Sequence, residues 1–128
     1  MSRKGNKKKR GPRIPNFKEG EIDFLIVREF PKRAREVENK FSGLHEFWMN
    51  TNRTKAAILK LAKGDFDKIR ELIKQANADP RDVIAYAEFP RIMQFSWSDK
   101  NKMTEEEKEE LRQNDWEEYQ EWRNKGQS

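Results

Sequence analysis

Apolar residues recur at helical spacing along most of the chain, and proline, glycine and polar clusters cut the pattern into short amphipathic segments. Ile22, Leu25, Ile26 and Phe30 fall on one helical face. Phe24 and Val27 also fit a buried strand, for which the short Ile92 to Trp97 stretch is the one candidate partner. Helix is the better match over residues 22–30, with a two-stranded element as the alternative, and Pro31 ends or kinks the segment. Residues 32–41 resume with Ala34, Val37 and Phe41 on one face and charges elsewhere, closing at Ser42-Gly43. Leu44, Phe47, Trp48 and Met49 predict one or two buried helical turns before a polar connection over residues 50–53.

The clearest pattern is a helical hairpin. Ala57, Ile58, Leu61 and Ala62 form a stripe that stops at Lys63-Gly64, where glycine takes the left-handed helix end at little steric cost. Asp65 is placed to cap a second helix carrying Phe66, Ile69, Leu72, Ile73 and Ala76. Asp79-Pro80 marks a further start, with Val83, Ile84, Ala87 and Phe89 inward and Pro90 as the stop. Ile92, Met93, Phe95 and Trp97 then lead into an expected polar linker over residues 98–102. Thr104 followed by Glu107 has capping-box spacing, and the Glu105 to Glu107 cluster suits the positive end of a helix dipole. The fold class that follows is mainly α: a small single-domain bundle of five to six short helices over about residues 19–124. A disordered basic tail is expected over residues 1–18 and a short disordered C-terminus over 125–128.

Composition narrows the chemistry. The 128 residues include no cysteine and one histidine, so disulfides, thiolate nucleophiles, iron-sulfur clusters and cysteine-based zinc sites are excluded. No uncharged apolar stretch approaches the roughly 18–20 residues of a membrane span, and Gly11-Pro12 stands where a signal peptide needs its apolar region. No membrane partner and a cytoplasmic location are therefore expected. Nuclear import is an option in a eukaryote, since residues 7–10 have the composition of a minimal import signal.

Charge divides the chain in two. Arg3, Lys4, Lys7, Lys8, Lys9, Arg10 and Arg13 fall within the first fourteen residues with no acid among them. Removing those seven from the 28 Lys and Arg leaves 21 bases against 23 acids, so the sequence pI of 9.5 describes the tail rather than the body. A run of this kind releases counterions when it neutralises phosphates, which gives sequence-blind, salt-sensitive binding to RNA or DNA. The chain lacks zinc-finger spacing, an RRM-type aromatic signature and a convincing helix-turn-helix. The leading expectation is thus a small non-catalytic nucleic-acid or ribonucleoprotein accessory protein whose arm holds phosphate backbone without base readout.

The alternative expectation is a protein-interaction module. Trp116, Tyr119 and Trp122 share a broad face of the last helix, and aromatics of this kind anchor interfaces. The competing use of the same residues is to dock the helix on its own core, which is also the expectation for Trp48 and Trp97. The opposite face of that helix is acidic, with nine acids against four bases between Thr104 and Lys125. Catalysis is not expected. His45 beside Glu46 has no assignable nucleophile, and adjacent helical positions point apart. Asp65, Asp79 and Asp82 lack the alternating ligands of a calcium loop, so no metal or cofactor is expected; the glycine-bounded residues 5–11 lack the order of a phosphate loop.

Overall fold

A computed structural model describes residues 14–45 and 51–126. The basic residues Arg3 to Arg13, Trp48 with the rest of the expected turn over residues 46–49, and residues 127–128 lie outside the described residues. Among the described residues the chain is all helical: α1 (Glu21–Glu29), α2 (Ala34–Phe41), α3 (Thr51–Ala62), α4 (Phe66–Ala78), α5 (Pro80–Glu88), a 3-10 turn (Ile92–Gln94), α6 (Trp97–Asn101) and α7 (Glu105–Asn124). The strand alternative for residues 22–27 is thereby removed. The small helical bundle expected is thus found, with seven α-helices among the described residues against the five to six expected.

Local chemistry explains most of the boundaries. Lys63 and Gly64 both take positive φ, 51° and 79°, and reverse the chain between α3 and α4. Asp65 accepts a 3.0 Å hydrogen bond from the Asp67 amide, and Asp79 does the same for Arg81 with Pro80 in the first turn. Thr104 and Glu107 form the capping box, with bonds of 3.0 and 2.8 Å.

Two expectations are corrected. Residues 51–53 are the first turn of α3 rather than a connection, because neutral Thr51 and Asn52 do not oppose helix once Thr54 and Ala56 to Leu59 are buried behind them. Residues 98–101 are helix rather than linker, because Ser96 accepts from the Asp99 amide at 3.0 Å and caps a turn too short to show apolar periodicity. Within the segment expected to be tail, Pro15 is buried and Phe17 packs against the core, while Ile14, Asn16 and Lys18 are exposed. Near the C-terminus, the Lys125 carbonyl accepts from Arg28 of α1, and Gly126 lies beside Phe24.

The core is built around α3. Ala56, Ala57, Ile58, Leu59 and Ala62 are all inaccessible, so this helix is enclosed on more than the one face its stripe predicts. The small alanines let α1, α4 and α5 approach closely. Leu25, Ile26, Val37, Ile69, Val83 and Ile84 complete the contact, and α7 closes the bundle over α5 and the 3-10 turn.

Candidate interaction surfaces

The last helix is fastened by charge as much as by apolar contact. Asp115 is 0% exposed, and its carboxylate accepts from the Arg91 amide at 3.1 Å, the Arg91 guanidinium at 3.0 Å and the Ile92 amide at 3.4 Å. One turn on, Glu118 receives Arg91 at 2.9 Å and Lys60 of α3 at 3.3 Å. At the far end Arg123 grips Glu21 of α1 with two bonds of 2.7 and 3.0 Å, and also donates to the Asn16 carbonyl. Arg28 donates to the carbonyls of Arg123 and Lys125 at 3.2 and 2.8 Å, a cation set at the negative end of α7. Beneath the helix, Arg53 and Glu88 form a fork-to-fork pair with both contacts at 2.7 Å, and Glu88 is 4% exposed.

These contacts shift titration. Burial opposes ionisation of Glu21, but hydrogen bonds from Arg123 and the Lys18 amide outweigh it and hold the carboxyl below its ordinary value of 4.5. Burial likewise opposes ionisation of Glu118, and Lys60 and Arg91 prevail. A carboxyl whose pKa is depressed on folding stabilises the fold above its unfolded value and loses that contribution as pH falls through the folded one. Acidification below 4.5 is therefore expected to loosen α7 before the rest of the bundle, read as earlier loss of amide protection along residues 115–123 than along α3.

The aromatic residues of α7 do not form one exposed patch. Tyr119 is 1% exposed, and burial pushes its phenol well above the ordinary range. Its ring meets Trp122 edge-on at 5.7 Å, and Trp122 in turn packs on the core and lies 5.0 Å from the Arg28 guanidinium. Trp116 is half-buried. Tyr119 and Trp122 hold α7 to the body. The basic residues proposed for phosphate contact lie outside the described residues, but the chain that follows them is fixed at Pro15 to Phe17, where Arg123 stacks 4.6 Å from the Phe17 ring. His45 is exposed, and its amide donates to Asn77. Among the described residues no three His, Asp or Glu gather as a metal site, and no helix is long and apolar enough to cross a membrane.

A second surface escapes sequence reading. Trp97, expected in the core, is 76% exposed as the first residue of α6, a helix capped by Ser96 that has no buried residue. A groove of about 580 Å³ is lined by Leu61, Leu72, Val83, Pro90 and Met93 together with Tyr86, itself 53% exposed. The available signal was that Tyr86 falls off the Val83, Ile84, Ala87 stripe. Comparison with known proteins gives no match to a family model, a curated protein or a solved structure.

Proposed function

We propose that this protein is a non-catalytic nucleic-acid or ribonucleoprotein accessory factor, whose N-terminal arm holds phosphate backbone and whose helical body gives that arm a fixed origin. The observation that carries this reading is the segregation of charge: seven bases and no acid in the first fourteen residues, against a body with slightly more acids than bases. Neutralising phosphates releases condensed cations whatever the base sequence, so the arm needs no folded reading head. Anchoring of Pro15, Asn16 and Phe17 on α1 and α7 supports the division of labour, since it separates a pinned body from the charged run before it. The body's own cations at that end, Arg28 and Arg123, are engaged with carboxylates and helix carbonyls.

The test is fluorescence anisotropy with duplexes of unrelated sequence across a salt series. With seven phosphates neutralised, the log-log slope of affinity against salt approaches about −6, so binding falls roughly 10³- to 10⁴-fold between 50 and 200 mM salt. Affinity should be the same for each duplex within a few-fold. Absence of binding near 50 mM salt contradicts the proposal.

A further inference from the structure

We propose that the basic arm, Arg3 to Arg13, lies along an acidic stripe on the outer face of α7 when no polyanion holds it, so that a polyanion has to displace it. Glu106, Glu110, Glu117 and Glu121 are all exposed, and helical periodicity sets them within about 60° of one another. Asp115 and Tyr119, buried against the body, lie on the opposite side of the helix. From Glu106 to Glu121 the stripe runs about 22 Å at the helical rise per residue. Glu117 accepts a 2.8 Å bond from Gln113, and none of the four carboxylates is in an ion pair with another described residue. The cations of the helix stand off the stripe and are engaged elsewhere: Lys108 with Glu105, Arg112 with Glu109 and Arg123 with Glu21.

An acidic stripe alone names no occupant; the place from which the arm departs does. Arg123 donates to the Asn16 carbonyl and stacks 4.6 Å from the Phe17 ring, so the chain leaves the body at the C-terminal end of α7, where the stripe ends at Glu121. Extended chain from Asn16 back to Arg3 reaches about 43 Å. Passing round the helix from the Arg123 side takes about 15 Å of that, and what is left exceeds the length of the stripe. Seven bases and no acid thus face four carboxylates at the high effective concentration that a short tether imposes. The pairs are exposed, individually weak and screened by salt, so a duplex, with its denser charge, displaces them at a cost in affinity. That the displacing polyanion is a nucleic acid rests on the reading above; the contact with α7 does not.

Paramagnetic broadening in the full chain tests the contact. The chain has no cysteine, so Asn6→Cys carries a single nitroxide within the arm. After nuclease treatment and at about 20 mM salt, amide signals along the outer face of α7 are expected to broaden while those of α2 and α4 do not, and about 0.5 M salt should restore them. Changing Glu106, Glu110, Glu117 and Glu121 together to glutamine, all at exposed positions, should keep the helical circular dichroism and abolish the broadening. The same variant should bind duplex about 3- to 10-fold more tightly than wild type at about 50 mM salt, the difference vanishing near 0.3 M. Absence of selective broadening at low salt overturns the proposal, as does broadening that persists in the glutamine variant. Duplex affinity unchanged by the variant at low salt overturns the competition. Absence of duplex binding by either chain falls on the phosphate reading, since the broadening decides the contact without nucleic acid.

Discussion

Replacing Asp115 with alanine is expected to lower the free energy of unfolding by on the order of 3 kcal/mol. The carboxylate sits on α7 yet satisfies the amides of Arg91 and Ile92 after α5, so its removal leaves two donors without an acceptor at a buried contact. Arg91 itself keeps Glu118 at 2.9 Å, which confines the loss to the amides and the space vacated. Asp115→Asn retains one acceptor oxygen but turns an amino group toward donors, and should recover only part of the loss. Denaturant unfolding followed by circular dichroism measures both variants. A change below about 1 kcal/mol for the alanine variant contradicts the role assigned to Asp115.

Tyr119→Ala is expected to cost about 3–5 kcal/mol, the range for deleting a buried aromatic ring. Tyr119→Phe should cost less than about 1 kcal/mol, because the hydroxyl is buried without a hydrogen-bond partner among the described residues and phenylalanine removes that burden while keeping the ring. The contrast between the two variants separates a core residue from an interface residue. If Tyr119 instead anchored a partner, the alanine variant would fold normally and lose only binding. Thermal and chemical unfolding of the isolated chain decide between these outcomes.

The elements that sequence conveyed are those written in nearest neighbours. Asp65, Asp79 and the Thr104–Glu107 pair act on amides two or three residues away, and each cap starts its helix as the spacing predicts. The apolar stripe of α4 is likewise local. What was not legible depends on distant partners. Glu88 and Asp115 look like ordinary surface acids until Arg53 and Arg91 are brought to them, and Arg123 meets Glu21 across almost the whole chain. Trp97 illustrates the converse: an aromatic after an apolar run predicts burial, but it opens a short helix capped by Ser96, with no buried residue, and stands exposed. The basic arm was legible as composition alone, since its proposed chemistry depends on charge count rather than on folded geometry.

The acidic character of α7 also acquires a structural meaning. Its buried half uses Asp115 and Glu118 to meet Arg91 and Lys60, whereas its first turns hold exposed glutamates that pair within the helix, as Lys108 does with Glu105 at 3.4 Å. Part of the body's positive charge is thus matched by its own carboxylates. The arm, with seven bases and no acid, remains the densest run of positive charge in the sequence.

The most direct measurement is the salt dependence of duplex binding for the full chain beside a variant in which Arg3, Lys4, Lys7, Lys8, Lys9, Arg10 and Arg13 are all glutamine. The account predicts a slope near −6 for the first and no measurable binding at about 50 mM salt for the second, with both equally helical. Binding by the glutamine variant with an undiminished slope would contradict it and move the phosphate contact onto the folded body.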